Sequence, residues 1–369
     1  MSTNKSKVAM LIAPKTFEIQ EYPIPEVSDD EILIKVEGCG VCGTDVHEYK
    51  SDPFGCLPIV LGHEGTGEIV KLGKNVTTDT IGKPIVVGDK LVTSIIPCGQ
   101  CDACVNTPGK TELCENMGCY GLMPDDQVHL NGWFGEYLVI RKDSTFFNVS
   151  EFDVETRIMI EPIAVAVHAV ERAKTTGLLN FGTPVLIQGC GPIGLAIALV
   201  LKTMGVQNVF AIDGNDSRLE FSKKLGVSKT FNFMKYEKTE DLITVIKKET
   251  NNKGVGFAFQ TTGSGVAFSS VFKHIARGGG LCEVGFFVEL GDTAVNPHQD
   301  ICFKEITVVG SYAYTPQVYP VTLDCVRSAL AIGLPINEFV TDWYPLDKIN
   351  DAFQKNIAME GIKIAVGSN

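Results

Sequence analysis

The sequence predicts a two-domain α/β protein, a mainly β domain followed by a doubly wound parallel sheet. Three observations predict it. From Val8 to about Ser150, short strand-like runs are separated by turn residues, with no long helical periodicity. After about Phe152 the pattern changes to strands alternating with helices. Within that second part, Gly189-Cys-Gly191-Pro192-Ile193-Gly194 follows a strand and opens a helix, the context a dinucleotide-binding turn requires.

In order along the chain, Val8–Ala13 is an apolar run ending at Pro14 and reads as a first strand. Ile32–Glu37, Gly67–Leu72 and Lys90–Ile95 follow, the last entered through the tight turn Gly88-Asp89, and together they suggest a distorted, partly open barrel. In the second part, Val185–Gln188 is a buried strand, Ile193–Thr203 a helix and Asn208–Asp213 the next strand. Ser217–Leu225 is a helix ending at Gly226, Phe231–Phe233 a short strand, and Thr239–Glu249 a helix. Val255–Gln260 and Leu281–Phe287 are further strands, joined by a helix Val266–Ala276 that ends at Arg277-Gly-Gly-Gly280. Glu305–Ser311 is the last candidate strand. There are no internal repeats and no low-complexity tract.

Composition narrows the function. With 369 residues the chain is long enough for two cores, and 44% hydrophobic with 21% charged residues is ordinary for a soluble globular protein. A balance of 32 basic against 44 acidic residues disfavours nucleic acid and anionic membranes as partners. The apolar run after the polar Met1–Lys7 is too short for a signal-peptide core. Thr175–Leu201 is uncharged and long enough to span a bilayer, but its glycines and prolines divide it into loop, strand, turn and helix. Twelve cysteines without an export signal point to a reducing, cytoplasmic setting in which thiols serve metals. Cys39, Cys56, Cys119, Cys190, Cys282, Cys302 and Cys325 are scattered and read as small buried hydrophobes.

The glycine-rich turn has a physical reason at each position. Gly189 makes the turn, Gly191 admits backbone to a pyrophosphate, and Gly194 lets helix pack on strand. The helix opening at Pro192 and Ile193 then offers N–H groups and a positive dipole end to the phosphates. Asp213, nineteen positions beyond Gly194, would accept both ribose hydroxyls and repel a 2′-phosphate, selecting NAD over NADP. Arg218 is the one nearby feature that softens this selection; otherwise it is a helix-surface arginine or packs near the adenine.

Two cysteine groupings point to metal. Cys42-Gly-Thr44-Asp45-Val-His47 is followed by Gly62-His63-Glu64-Gly65. A thiolate, an imidazole and a nearby carboxylate are the ligand types of an open catalytic zinc site, and one of each gives a formally neutral site that tolerates burial. Two carboxylates offer themselves, Glu64 and Glu161. Taken locally, Glu161-Pro162 is also a common helix start, an acid before a first-turn proline. Cys98, Cys101 and Cys104 at intervals of three, with Cys114 ten positions later, read as a closed tetrahedral zinc site and hence a structural one. Acidic net charge and the lack of nearby basic or aromatic clusters argue against a nucleic-acid zinc ribbon.

Gly62-His63-Glu64, continued by Gly67, Gly73 and Val76, resembles the signature of the zinc-containing medium-chain alcohol dehydrogenases. Glu161-Pro-Ile-Ala-Val-Ala-Val-His168 resembles their polyol branch, where a glutamate replaces a cysteine ligand. The resemblance covers nearly the whole chain. It implies a GroES-like catalytic domain over 1–155 with a structural-zinc lobe, a Rossmann NAD-binding domain over 156–312, and a return to the first domain over 313–369. It also implies Cys42, His63 and Glu161 as ligands of the catalytic zinc, with Glu64 close enough to exchange; which carboxylate touches the metal stays open. Asp45 would orient His63. Thr44 and His47 would relay the proton through the cofactor ribose to solvent, with Glu64 counted among the catalytic groups. The lobe's last interval is two residues longer than usual, which places an insertion within Asn106–Lys110 and leaves Cys119 the less favoured fourth ligand.

The implied reaction is hydride transfer from a secondary alcohol (a polyol, sugar alcohol or cyclic polyol) to NAD, giving a ketone. The alternatives are a simple alcohol or aldehyde dehydrogenase of the same family, and a binding protein that kept the fold without turnover. A lobe beside Glu161 marks a mixed branch. Phe54, Trp133 and Tyr312 are candidate pocket residues or local packing, and His129, His168, His274 and His298 are structural. The family implies a homodimer or homotetramer pairing through Glu305–Ser311.

Overall fold

The computed structural model describes residues 5–107, 109–126 and 128–367. Residues 1–4 and 368–369 of the expected outer domains, and Pro108 of the expected insertion, lie outside them. The chain divides into two compact units: Met1–Glu161 with Thr315–Pro320 and Ile336–Asn369, and Pro162–Tyr314 with Val321–Pro335.

Among the described residues the first unit is built on two sheets. The smaller joins Thr16–Pro23, Lys5–Ala13 and Ile59–Val60. The larger is organised about the strand Ile32–Gly40, which pairs antiparallel with Glu64–Leu72 on one side and Lys363–Gly367 on the other. Core residues such as Ile34, Val36, Leu61, Ile69, Leu91, Trp133, Phe134 and Phe353 are 5% exposed or less. Burying such side chains contributes about 1.5–3 kcal/mol each, which fixes the strand ends from which the ligand-bearing loops depart.

A helix not expected from hydrophobic pattern, Gly43–Ser51, follows directly on the central strand. It has no continuous apolar face, and its start is set by local hydrogen bonding. Cys42 is the N-cap, and the carboxylate of Asp45, three positions on, accepts from the Cys42 N–H at 2.9 Å.

The second unit contains a six-stranded sheet in the order Lys229–Asn232, Val209–Asp213, Val185–Gln188, Val255–Gln260, Ile275–Glu283, Thr307–Gly310, all parallel. Reversal of strand order at Val185–Gln188 makes the topological switch point of a doubly wound fold. Val185–Gln188 is buried throughout and apolar in its first three residues, as a central parallel strand must be.

Two local expectations are corrected. Pro162 does not open a helix: it lies inside the helix Val154–Lys174, so Glu161 is a mid-helix residue. Its ring removes one backbone donor, which a helix this long and well packed tolerates. The helix expected to stop at Arg277-Gly-Gly-Gly280 ends at His274, and the glycines belong to the strand Ile275–Glu283, which in turn ends four residues before Phe287. The register with Val255–Gln260 slips between Val255 and Phe257, and Gly278 sits at φ +72°. A Cβ on Gly280 would come 2.5 Å from the Phe257 ring and one on Gly279 2.5 Å from Ile275 Cγ2, so these two glycines serve close strand packing rather than a helix stop.

Candidate functional site

In the first unit three elements converge. Cys42 stands at the cap between strand Ile32–Gly40 and helix Gly43–Ser51, and Thr44 and His47 lie on that helix. His63 and Glu64 follow Gly62, whose φ of +95° turns the chain back at the head of strand Glu64–Leu72. The result is compact: single donor atoms of Cys42, His63 and Glu64 all lie within 4.8 Å of one another.

Asp45, wholly buried, ties the group together. One carboxylate oxygen accepts from Cys42 N, and the other accepts from Gly62 N at 3.3 Å and stands 3.3 Å from His63 Nδ1. That last contact is off the line of a good hydrogen bond, since Nδ1 has no aligned partner, and acts as a charge interaction. Burial opposes charge on the His63 ring, but Asp45 and Cys42 outweigh it and raise the ring's pKa well above the ordinary value. Negative potential of this kind around a buried imidazole fits a cation, and the thiolate–imidazole–carboxylate donors fit zinc.

Glu64 has a partner that no motif announced. Lys363 is buried, and its Nζ donates to both Glu64 oxygens at 2.7 and 2.5 Å and to the Val41 carbonyl at 3.4 Å. Burial disfavours the ammonium, yet Glu64, Cys42 and Glu161 hold its pKa above the usual lysine value. The side chain crosses strand Ile32–Gly40 at Gly40, the residue paired with Glu64 on one side and Ala365 on the other. A Cβ there would overlap Glu64 Oε2 and lie 2.8 Å from Lys363 Cδ. Gly40→Ala is therefore expected to destabilise the chain by about 1–3 kcal/mol, the usual cost of overpacking. Urea unfolding of the variant checks this, and unchanged stability would mean the lysine path is looser than described.

Glu161 is buried and lies within electrostatic reach of Lys363 and Cys119, outside the compact trio. Cys119 is a neighbour that sequence reasoning missed. Burial pushes its thiol up to about 12, with His63 opposing and Glu161, Asp45 and Cys42 adding to the rise. Nothing local marked it, because its neighbours come from three other segments. Thr44 is buried, its hydroxyl 3.7 Å from Cys42 Sγ. His47 is half-buried, and burial followed by the Lys50 charge lowers its pKa, so the ring is a neutral proton acceptor at pH 7. Of the aromatic candidates, Trp133 is core: its ring covers Gly65 and its Nε1 donates to Thr93 Oγ1 at 3.1 Å. Tyr312 stacks on Phe287 at 4.9 Å in the second unit, and Phe54 is 41% exposed.

Cys98, Cys101, Cys104 and Cys114 also gather within 4.8 Å, and Cys119 is not among them. The Cys101 and Cys114 sulfurs are 3.8 Å apart. A tetrahedron with Zn–S of about 2.3 Å has an edge of roughly 3.8 Å, so the group fits a closed zinc site. Backbone N–H groups of Gln100 and Cys101 lower the Cys98 thiol to about 6, a preference for thiolate that suits a metal ligand.

In the second unit Gly189 has φ +102°, Gly191 caps the helix Pro192–Thr203, and a Cβ on Gly194 would overlap the Gly189 carbonyl. Ile193 follows Pro192 in the first turn of that helix. Asp213 ends its strand and accepts from Cys190 N at 2.6 Å and Asn215 N at 2.8 Å, which fixes the carboxylate beside the glycine turn. Arg218 lies on the next helix, close enough to act electrostatically on Cys190.

The model of the alcohol dehydrogenase GroES-like domain matches residues 28–151, and that of the zinc-binding dehydrogenase matches residues 192–328. A sorbitol dehydrogenase of Bacillus subtilis is 30% identical over 98% of this chain and 97% of its own length. An L-threonine 3-dehydrogenase of Pseudoalteromonas translucida is 32% identical over 93% of this chain and 94% of its own. The crystal structure of an alcohol dehydrogenase from Thermotoga maritima superposes with a TM-score of 0.91 at 25% identity, covering 99% of this chain and 100% of that one. Zinc and NAD are the cofactors characteristic of such enzymes. No helix among the described residues is long and apolar enough to cross a membrane. With matching models over both its halves and relatives of this identity over nearly its full length, the chain belongs to the zinc-dependent medium-chain alcohol and polyol dehydrogenases and is an oxidoreductase.

Proposed function

We propose that the chain oxidises a secondary alcohol bearing a heteroatom on the neighbouring carbon, with NAD as hydride acceptor and a ketone as product. The observation that carries this reading is the compact trio of half-buried Cys42 with buried His63 and Glu64, with Thr44 and His47 on the helix that Cys42 caps. Sorbitol and L-threonine, the substrates named for two relatives, share that secondary-alcohol unit.

When bound, zinc supplies the Lewis acidity that lowers the hydroxyl's pKa, and the dinucleotide supplies the hydride acceptor. The chain's own residues do the rest. Cys42 and His63 would hold the metal, and Asp45, 3.3 Å from Nδ1, would leave Nε2 for it. Lys363 occupies both oxygens of Glu64, so that carboxylate and Glu161 are exchangeable candidates for the third position. Thr44 Oγ1 would take the alcohol's proton as it releases its own toward the neutral His47, which passes a proton outward. Gly189, Gly191 and Gly194 admit the pyrophosphate, and Asp213 takes the adenosine ribose. Four thiolates at Cys98–Cys114 hold a second, structural zinc. A cytoplasmic homodimer or homotetramer, joined along the exposed strand Thr307–Gly310, completes the proposal.

The test follows NADH formation from NAD across simple alcohols, linear polyols, cyclic polyols and hydroxy amino acids, before and after chelation. Chelator-sensitive turnover concentrated on secondary alcohols with a neighbouring heteroatom is expected. Turnover confined to short primary alcohols would replace this reading with a simple alcohol dehydrogenase.

A further inference from the structure

The parallel sheet of the second unit carries a polar pair, one side chain buried and the other half-buried, that the scheme above does not use. Gln260 and Glu283 are register partners at the C-terminal ends of adjacent strands, Val255–Gln260 and Ile275–Glu283. Gln260 is fully buried, and its Nε2 donates to Glu283 Oε2 at 3.2 Å. Each side chain also holds the loop beyond its own strand. Glu283 Oε1 accepts from Gly285 N at 2.6 Å and Phe286 N at 3.3 Å. Gln260 accepts from Thr262 N at 2.6 Å and donates to Thr262 O at 2.8 Å.

Thr262 links these loops to the dinucleotide turn. A Cβ on Gly285 would overlap the Thr262 backbone, and one on Gly189 would lie 2.7 Å from Thr262 Cγ2. The rim therefore runs without a gap from Glu283 through Thr262 to Gly189. Strand order says what it faces. Asp213 lies on one side of the central strand Val185–Gln188, and Gln260 and Glu283 lie on the other. A dinucleotide occupies the crevice outside the carboxyl ends of such a sheet, spanning the switch point. With the adenosine ribose at Asp213, the nicotinamide half falls on the Gln260–Glu283 side.

The two redox states of that half differ by one charge: the oxidised ring is a cation and the reduced ring is neutral. We propose that Glu283, braced by Gln260, positions the rim that receives the nicotinamide half and that its negative charge favours the oxidised over the reduced dinucleotide. This rests on the NAD-linked reading above.

Burial raises the Glu283 carboxyl to about 7, against the lowering effect of the Gly285 N–H, the Gln260 amide and the Phe286 N–H. The surrounding elements bring few other charges. Strands Val255–Gln260 and Thr307–Gly310 carry no titratable side chain. On Glu283's own strand the Cys282 thiol, pushed up to about 12, stays neutral, and Arg277 stacks over the Phe303 ring. The helix packed on Cys282 brings His168, the Glu171–Lys174 pair and Arg172, whose Nε donates to the Gly310 carbonyl. Helix Gly265–His274 brings Lys273, paired with Asp300, and His274, pushed down to about 4. A cation on the rim stabilises the carboxylate and lowers its pKa, so affinity for the oxidised dinucleotide rises as pH increases through about 7. Affinity for the reduced form stays level.

The experiment measures equilibrium binding of NADH by its fluorescence, and of NAD by displacement, on the zinc-loaded full chain between about pH 6 and pH 8. The ratio of the NAD to the NADH dissociation constant is expected to fall roughly three- to tenfold with rising pH, the effect of up to one pH unit in the carboxyl's titration. Glu283→Gln keeps the shape and the acceptor for Gly285 N and should abolish that slope. The double variant Q260E/E283Q moves the charge to the paired strand and should restore it. An unchanged slope in E283Q overturns the proposal and leaves the NAD-linked reading intact. Should E283Q fail to fold, a flat ratio in the double variant overturns it equally. Failure of the unaltered chain to bind either nucleotide would defeat the NAD-linked reading itself, and this proposal with it.

Discussion

Lys363→Met is expected to destabilise the chelated chain by about 3–5 kcal/mol, the usual cost of removing one partner of a buried ion pair. The size follows from what is left behind. Glu64 is 1% exposed, and Lys363 donates to both of its oxygens. Without the ammonium, the carboxylate must stay charged and unpaired or take up a proton. Removing both charges together is a different matter, because well-packed neutral replacements for a buried pair are often nearly neutral in stability. The double variant E64Q/K363M should therefore be more stable than K363M alone, and the cycle gives the coupling directly. Zinc adds a second readout. A metal that finds Glu64 released gains a ligand, so zinc should raise the melting temperature of K363M more than that of the unaltered chain. Equal zinc responses would mean that Glu64 does not turn to the metal when its lysine is gone.

That lysine also marks where sequence reading ran out. Cys42, His63 and Glu64 were legible because their spacing and their glycines lie in one stretch of chain. Lys363 is 299 positions from Glu64, and reaches it only because Gly40 between them has no side chain. A lysine heading the apolar strand Ile-Ala-Val was a faint signal, readable only with the strand order known. Glu161 shows the opposite failure: an acid before proline is a sound local reason for a helix start, and the packing of a 21-residue helix overrode it. The glycines of Arg277–Gly280 were read as a stop because their reason, the Phe257 ring on the adjacent strand, is not local. The rest of the doubly wound sheet was readable because periodic strand–helix alternation depends on each segment alone. Gly43–Ser51 was not, since its start is set by Asp45 and not by an apolar face.

Asp45→Asn is expected to weaken zinc binding at Cys42, His63 and Glu64 by roughly 10- to 100-fold, the usual effect of removing a carboxylate behind a metal-bound histidine. The carboxylate makes three contacts at once: it accepts from Cys42 N at 2.9 Å and Gly62 N at 3.3 Å, and its charge stands 3.3 Å from the His63 ring. Two of these place the ligands, since Cys42 begins the helix and Gly62 turns the chain into His63. The third keeps the proton on Nδ1 and leaves Nε2 free to bind metal. An amide of the same shape accepts at one atom only. It can still accept from the Cys42 N–H, as the side-chain amide at the third position of a capping box does. With the amide oxygen kept on Cys42 N, its NH2 group faces both Gly62 N and the ring, donor against donor, and the negative charge behind His63 is lost. Stability of the chelated chain should thus fall by about 1–3 kcal/mol, the cost of the unpaired Gly62 N–H, and the loss of metal affinity is read separately from it. Competition against a chromophoric chelator measures the affinity, and urea unfolding of the chelated protein measures the fold. Asp45→Ala should lose more stability, since the Cys42 N–H is then left unpaired as well, at about 1–3 kcal/mol. Unaltered zinc affinity in the asparagine variant would show that Cys42 and Gly62 alone hold the ligands in place, and that the contact with His63 contributes nothing to the metal.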